Sequence, residues 1–279
     1  MVVPIIHVDT FVGKGFLGNA AAVCVLPGPV KSSWMQSIAH EMNVSETAFF
    51  YREANGFYLR WFSPLVEVDL CGHGTLAVSQ VLYEEGYFQR QSTARFHTRS
   101  GLLIARLQDE QLELNFPALD QHATDPPPDL RLALGVPLKY VGTDGHDYLV
   151  EVHSEEAVRS LRPTFDILST IQARAIIVTS QASSTAYDFV SRVFAPRLGI
   201  NEDPVTGSAH CTLAPFWMTR LNKHELVAYQ ASARGGLLRL RLEGKRVFLS
   251  GRAVITAREQ REIIDSHTSV GTSTGCDDD

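Results

Sequence analysis

The chain has 279 residues, of which 44% are hydrophobic and 20% are charged, and its formal net charge is −6. This length and composition predict one large domain or two of ordinary size, and they exclude an intrinsically disordered chain. The modest negative charge, without a run of lysine or arginine, argues against a surface that binds nucleic acid or an anionic membrane. No apolar stretch reaches the ~18 residues of a membrane span, and the first residues lack the basic segment of a signal peptide. We therefore expect a cytoplasmic protein.

The predicted strands lie near residues 2–9, 20–26, 47–62, 94–116, 174–179, 186–194 and 226–250. Between the second and third of them, an apolar stripe with helical spacing predicts a helix capped by Ser32 or Ser33. The stripe comprises Met35, Ile38, Ala39 and Met42. This mixture of strands and helices indicates an α+β protein.

The segment Gly13–Gly18 matches the glycine pattern GxGxxG and follows a predicted strand. A dinucleotide-binding loop must open a long helix, so that the pyrophosphate meets the helix N-terminus. Here the residues that follow are rich in valine and run directly into Pro27. The context therefore favours a turn between two strands over a nucleotide site.

An internal repeat relates the two halves of the chain. In each half, a strand is followed by acidic residues, a glycine and a helix-like apolar run. The separation along the chain stays nearly constant for the pairs Phe62 and Phe194, Gly74 and Gly207, and Gly101 and Gly236. The matching order predicts two similar lobes related by a pseudo-twofold axis, and chance recurrence of a common strand–glycine–helix unit is the alternative.

The run Pro126-Pro127-Pro128 is the clearest linker-like stretch, and it predicts that the lobes divide close to it. We assign residues 1–118 to an N-terminal lobe and 119–258 to a C-terminal lobe, whose last strand could return to the first lobe. Residues 259–279 are polar and predict a frayed tail. Each lobe is expected to be a curled, mostly antiparallel sheet around a central helix, with a cleft between the lobes.

The cysteines and histidines indicate neither a disulfide framework nor a metal centre. The chain lacks a secretory signal and CxxC spacing, which predicts free thiols at Cys24, Cys71, Cys211 and Cys276. The ten histidines form no HExxH pattern. We therefore expect no bound metal.

Two kinds of feature could carry chemistry. Glu46 lies between small polar residues and an apolar strand, where burial would raise its pKa and suit it to proton transfer. Taken alone, Glu46 is more simply interpreted as a surface residue at a turn.

The segments 71–74 and 203–208 each precede a helix-like run, and free N–H groups at a helix start attract an anion. Two such starts at one cleft would hold a carboxylate and stabilise an enolate-like charge, whereas glycines that merely permit tight turns are the alternative.

Several segments together resemble the PhzF-like (phenazine biosynthesis-like) family of isomerases: Val8–Phe11, Phe16–Asn19, Asn43–Phe49, Arg60–Pro64, Gly72-His73 and Glu202–Ala209. The resemblance extends to about residue 256, and the vertebrate phenazine biosynthesis-like domain-containing proteins look especially close. It implies a diaminopimelate-epimerase-like fold of two pseudo-symmetric lobes, a homodimer, a small-molecule carboxylate substrate and no cofactor.

The resemblance also implies roles for individual residues. Glu46 matches the family's proton-shuttling glutamate, and the matching substrate-contacting positions are Asn19, Ser45, Gly72, His73, Asp203, Gly207 and Ser208. Two positions depart from the family pattern. Ala20 stands where proline is usual, and Gly74 follows the Gly-His pair where another small residue or proline is usual.

Relatives that racemise amino acids on this fold use one thiol from each lobe. Cys71 stands at the first thiol position, but Pro204 occupies the pseudo-symmetric position and cannot ionise. A symmetric two-thiol racemase is therefore excluded, while Cys71 stays open as a second acid or base beside Glu46.

The leading hypothesis is a cofactor-independent isomerase in which Glu46 removes a proton from one carbon of a small carboxylate-bearing substrate and returns it to another. His73 is expected to donate a hydrogen bond to the substrate, with a second acid/base or a turn residue without a catalytic role as the alternatives. Asp203 would accept a hydrogen bond from a substrate amine or hydroxyl group. Two alternatives stay open: an epimerase or racemase that depends on Cys71, and a noncatalytic small-molecule-binding or regulatory protein with the same cleft.

Overall fold

The computed structural model describes residues 2–87, 92–108 and 111–262. Cys276 and the predicted tail from residue 263 onward lie outside the described residues. Strands account for 45% and helices for 22%, which confirms the α+β class.

The elements of the first lobe are β1 (Val2–Thr10), β2 (Asn19–Val25), α1 (Ser32–Met42), β3 (Glu46–Glu53), β4 (Gly56–Phe62), β5 (Glu67–Val68), α2 (Gly72–Glu84), β6 (Thr93–Thr98), β7 (Gly101–Gln108) and β8 (Gln111–Pro117). The elements that follow are β9 (His122–Ala123), α3 (Leu130–Leu134), β10 (Leu138–Thr143), β11 (Tyr148–Val152), α4 (Glu155–Ser160), α5 (Phe165–Leu168), β12 (Ile176–Gln181), β13 (Phe189–Ala195), a 3-10 turn (Pro196–Leu198), β14 (Ile200–Asp203), α6 (Gly207–Leu221), β15 (Glu225–Gln230), β16 (Gly236–Glu243), β17 (Arg246–Gly251) and β18 (Ala253–Glu262).

The same succession of strand pairings occurs in both lobes. In the first lobe β2 and β3 are parallel, β3 and β4 are antiparallel, and β4 and β6 are parallel. In the second lobe β11, β12, β13 and β15 repeat this order. Phe57 pairs with Phe96, and Phe189 pairs with Ala228, so both partners are displaced along the chain by the same amount. The internal repeat is therefore confirmed at the level of strand register.

Two strand pairings connect the lobes. β8 is antiparallel to β17, and β18 lies antiparallel to β1, so the last described strand returns to the first lobe. Its pairing extends to Glu262, which faces Val2. The tail was therefore predicted to begin too early, because the polar residues 259–262 still bond to β1 from an edge strand.

The central helices α2 and α6 each pack against the strands of their own lobe. Ten of the 13 residues of α2 and 11 of the 15 residues of α6 are buried. A helix that is covered on every side needs an apolar surface all round, which explains why both sequences show a continuous apolar run and little amphipathic pattern. The two helices contact each other at their first turns.

The predicted first helix is present as α1, but its serine cap is not. Lys31 is the N-cap residue and makes no side-chain capping bond, while Ser32 is already helical. The Ser32 hydroxyl instead accepts a hydrogen bond from Arg60 on β4. A partner from another element therefore displaces the local capping bond that the sequence suggested.

The glycine-rich segment between β1 and β2 is a turn, as predicted. Gly13 and Phe16 form a short bridge, and β2 begins immediately after Gly18. Gly18 has φ +65°, and a Cβ at this position would lie 1.9 Å from the Thr10 carbonyl oxygen. Only glycine fits, for a reason unrelated to phosphate binding.

None of the helices within residues 2–87, 92–108 and 111–262 is long and apolar enough to cross a membrane.

Candidate active site

The N-termini of α2 and α6 meet at two glycines. A Cβ on Gly72 would lie 3.0 Å from the Gly207 Cα, and a Cβ on Gly207 would lie 3.1 Å from the Gly72 Cα. Any side chain at either position would push the two helices apart. Because the first N–H groups of a helix have no acceptor within it, this contact gathers the positive ends of two helix dipoles in one place.

Glu46 is the first residue of β3 and lies beside the start of α2. Its Oε2 atom is 3.1 Å from Nε2 of His73, yet neither atom has a hydrogen-bond partner among the described residues. Glu46 is only 9% exposed. Burial raises the pKa of its carboxyl group well above the ordinary value, and the negative charge of Asp203 adds to the shift. The carboxyl group is thus buried, without a partner and able to hold a proton.

His73, the second residue of α2, is neutral at ordinary pH. Burial lowers the pKa of its imidazole to about 3. Its Nδ1 atom lies 3.3 Å from Nδ2 of Asn19 and 3.6 Å from Sγ of Cys71. The ring therefore lies between the Cys71 thiol on one side and the Glu46 carboxyl group on the other.

Asn19 joins the two lobes. Its Nδ2 donates to Oδ1 of Asp203 at 2.7 Å and to the Val205 carbonyl oxygen at 2.9 Å. Its Oδ1 accepts from the Ser45 hydroxyl at 3.1 Å. Since both acceptors of the Nδ2 group lack hydrogen, the orientation of this fully buried amide is fixed by its partners.

Asp203 ends β14 and faces Asn19 from the second lobe. Burial raises the pKa of its carboxyl group to about 6, although hydrogen bonds from Thr206, Asn19 and Ser45 favour the ionised form. The Thr206 hydroxyl donates to Oδ2 at 2.5 Å. The carboxylate is therefore held by donors, in contrast to the unpartnered oxygen of Glu46.

Gln230, at the end of β15, also belongs to this cluster and was missed in the sequence. Its Oε1 accepts from the Thr206 backbone N–H at 2.8 Å, and its Nε2 donates to the Asp203 carbonyl oxygen at 2.7 Å. These bonds fix the turn that leads into α6. A lone glutamine after a strand carries no sequence signal, because its role depends on a partner 24 residues away.

Cys71 is the N-cap residue of α2. Its Sγ accepts a hydrogen bond from the Gly74 N–H at 3.2 Å. Burial raises the pKa of the thiol, and the neighbouring Glu46 carboxyl group adds to the shift. Ligand atoms of Glu46, Cys71 and His73 all lie within 4.8 Å of one another, a spacing that a divalent cation could bridge and that no sequence motif indicated.

The two departures from the family pattern have different surroundings. A Cβ on Gly74 would lie 2.8 Å from Cδ1 of Trp61 and 2.9 Å from Sγ of Cys71, so glycine makes room for the indole. Ala20 is half-buried on β2, opposite Asp9 on β1.

The structure thus brings the predicted site residues of both lobes together, with Ser208 buried at the start of α6 and Ser45 half-buried beside Asn19. The predicted cleft is closed, because Asn19, Glu46, Cys71, His73, Asp203 and Ser208 are each no more than 9% exposed.

A family model described as phenazine biosynthesis-like protein matches residues 8–259. An uncharacterized isomerase of Halalkalibacterium halodurans is 49% identical over 261 residues, which are 93% of this chain and 98% of that protein. Phenazine biosynthesis-like domain-containing protein 1 of Mus musculus is 40% identical over 286 residues, with 91% of this chain and 97% of that protein covered. The crystal structure of a PhzF-family phenazine biosynthesis protein of Enterococcus faecalis has a TM-score of 0.87 at 40% identity, and the match covers 94% of this chain and 100% of that one.

Proposed function

Because the chain belongs to the phenazine biosynthesis-like (PhzF) family of isomerases and has its two-lobed, diaminopimelate-epimerase-like fold, we propose that Glu46 is the general acid/base of a cofactor-independent proton shift. The observation that carries the proposal is the buried Oε2 atom of Glu46, which has no hydrogen-bond partner among the described residues and lies next to His73 at the joined helix starts. A buried polar atom without a partner costs stability, so a site that keeps one is expected to use it on a ligand.

The proposed reaction needs no oxidant or reductant. The Glu46 carboxylate takes a proton from a carbon that is acidified by an adjacent carboxyl group, and the C–H electron pair moves into the conjugated system. The protonated Glu46 then returns the proton to another carbon on the same face, so that substrate and product are isomers. Backbone N–H groups at the starts of α2 and α6 would stabilise the negative charge that develops.

The other residues of the cluster would bind and orient the substrate. Neutral His73 would donate from Nε2, and Asp203 would accept from an amine or hydroxyl group. Asn19 and Ser45 would hold Asp203 in place, with Gly72, Gly207 and Ser208 lining the carboxylate position. The substrate would accordingly be a small molecule with a carboxylate, handled in the cytoplasm by a homodimer.

Solvent-deuterium incorporation tests this proposal. A panel of small unsaturated amino and hydroxy acids is incubated with the protein in D₂O and followed by NMR. Loss of a general base lowers proton transfer by about 10²–10⁴-fold, so Glu46→Gln should lower exchange by at least about 100-fold. Glu53→Gln, at the exposed end of the same strand, is the matched control and should exchange at the wild-type rate. Exchange by Glu46→Gln at the wild-type rate would remove Glu46 as the base.

A Cys71-dependent epimerase is the second candidate, because the Cys71 thiol lies in the same cluster as Glu46. The same exchange assay separates the two. If Cys71→Ala abolishes exchange while Glu46→Gln keeps it, Cys71 is the base and the epimerase replaces the first proposal. The raised pKa of the Cys71 thiol favours the uncharged form and so supports Glu46.

A further inference from the structure

The geometry points to Cys71 as a positioning residue: its S–H group donates to Nδ1 of His73 and thereby keeps the ring proton on Nε2, the nitrogen nearest Glu46. The inference deepens the proposed function and rests on it only where turnover is concerned. The tautomer of His73 can be measured without any substrate.

The Asn19 amide shows which nitrogen of His73 lacks a hydrogen. Nδ2 of Asn19 lies 3.3 Å from Nδ1 of His73, and its orientation is fixed because Nδ2 also faces the Asp203 carboxylate and the Val205 carbonyl oxygen. An amide nitrogen has no lone pair to accept with. A hydrogen on Nδ1 would therefore lie against the hydrogens of another donor, which favours Nδ1 as the acceptor.

The same amide cannot satisfy Nδ1 by itself. Its two hydrogens are directed to Asp203 at 2.7 Å and to Val205 at 2.9 Å. The remaining neighbour of Nδ1 is Sγ of Cys71 at 3.6 Å, a distance suited to a hydrogen bond from sulfur. Sγ in turn accepts from the Gly74 N–H at 3.2 Å, which leaves the thiol hydrogen free for the imidazole.

These contacts form one directed chain. The Gly74 N–H group donates to the Cys71 sulfur, the thiol donates to Nδ1 of His73, and the Nε2–H group is left beside Oε2 of Glu46 at 3.1 Å. Neither Nε2 nor Oε2 has a hydrogen-bond partner among the described residues. A neutral imidazole in this tautomer presents a hydrogen to the reacting group, whereas the other tautomer would present a lone pair.

The positioning role predicts a result that a catalytic thiol does not. A serine hydroxyl can donate to Nδ1 in the same way, so Cys71→Ser should keep the tautomer and most of the turnover. Alanine removes the donor. Loss of one hydrogen bond of about 1 kcal/mol shifts the tautomer ratio by about fivefold, so Cys71→Ala should lower kcat by no more than about fivefold.

Long-range ¹H–¹⁵N NMR of the histidine ring tests the inference on the full chain. In the wild type, His73 should show a protonated Nε2 and an unprotonated Nδ1. Cys71→Ser should give the same pattern, and Cys71→Ala should move the Nδ1 signal toward the protonated value. Cys24→Ala, which removes a buried thiol from β2, is the matched control and should leave the His73 signals unchanged.

The outcomes separate the roles of Cys71. A His73 tautomer that is unchanged in Cys71→Ala overturns the inference. Loss of turnover in Cys71→Ser as complete as in Cys71→Ala also overturns it, because a positioning hydroxyl would have rescued the function. If no substrate of the panel exchanges at all, the proposed function fails, yet the NMR comparison still decides the tautomer.

Discussion

The starts of α2 and α6 occupy equivalent places in the two lobes but carry different side chains. The first lobe places Cys71, His73 and Glu46 there, and the facing atoms of Glu46 and His73 have no hydrogen-bond partner among the described residues. The second lobe places Asp203 and Gln230 there, and each side chain is held by several bonds. The two helix starts thus share the backbone N–H groups but differ in their side chains, because the first lobe has unpartnered polar atoms where the second lobe has hydrogen-bonded ones.

The two lobes keep an equivalent ion pair behind these different sites. Arg60 on β4 holds Glu67 with two bonds of 2.7 Å, and Arg192 on β13 holds Glu202 with bonds of 2.7 and 2.8 Å. The two arginines occupy equivalent positions of the internal repeat, and both fix the acidic segment that leads to a central helix. Their surroundings differ, because Glu67 also has Arg99 at 2.8 Å.

Replacing these arginines should show how much the two ion pairs differ in their contribution to the free energy of unfolding. Arg192→Met leaves Glu202 without a cationic partner among the described residues and also frees the carbonyl oxygen of Leu161, to which Arg192 donates at 2.9 Å. We expect a loss of about 3 kcal/mol in the free energy of unfolding, since one partner of a largely buried pair is removed. Arg60→Met should cost only about 1 kcal/mol, because Arg99 remains on Glu67. Urea denaturation measures both.

A double substitution controls this comparison. Arg60→Met combined with Arg99→Met should bring the loss in the first lobe close to that of Arg192→Met. Equal losses for the two single variants would contradict the role given to Arg99.

The glycines at the helix contact should, by contrast, behave alike. Gly72→Ala and Gly207→Ala each place a Cβ about 3 Å from the opposite backbone, so the two helix starts must separate by a few tenths of an ångström. Because a misplacement of about 1 Å lowers the rate by about 100-fold, this smaller separation should lower deuterium exchange by about tenfold. Gly28→Ala, where a Cβ meets nothing within 4 Å, is the control and should keep full deuterium exchange. A tenfold or larger difference between Gly72→Ala and Gly207→Ala would break the proposed equivalence.

The sequence predicted the three main helices, the repeat and most of the longer strands, because each has many residues in one pattern, but β10, β11 and the ten-residue β18 lie outside the predicted strand spans. The spans 47–62, 94–116 and 226–250 each contain more than one strand, since Gly56, Gly101 and Gly244 allow turns within apolar runs. The helices α3, α4 and α5 have only four to six residues. Such segments are too short to show helical periodicity, so they were not predicted.

The candidate site could be predicted where a motif marks a helix start and could not where it depends on convergence. Gly72, His73, Asp203 and Gly207 lie in such motifs. The bonds of Asn19 to Asp203 join residues 184 apart, and nothing in either local sequence indicates them. The position of the His73 imidazole between the Cys71 thiol and the Glu46 carboxyl group likewise follows only from the packing of β3 against α2.

The smallest expected difference between the lobes concerns Thr47 on β3 and Thr179 on β12, which occupy equivalent positions of the repeat. The buried Thr179 hydroxyl donates to the Val190 carbonyl oxygen at 2.7 Å and accepts from Nε1 of Trp217 at 2.9 Å. The buried Thr47 hydroxyl has no partner among the described residues. Thr179→Val should therefore cost about 1–3 kcal/mol in urea denaturation, because it leaves the Trp217 N–H unpaired, whereas Thr47→Val should be neutral or slightly stabilising.

A double-mutant cycle with Trp217→Phe tests the reason for that difference. Once the indole N–H is gone, Thr179→Val should lose most of its cost, and the coupling between the two residues should be about 1 kcal/mol. Coupling near zero would mean that the loss at Thr179 comes from packing, and the two threonines would then differ only in their apolar neighbours. Coupling of the expected size would show that the Thr179 hydroxyl stabilises the second lobe through Trp217. The equivalent Thr47 hydroxyl of the first lobe, next to Glu46 in the chain, has no partner among the described residues.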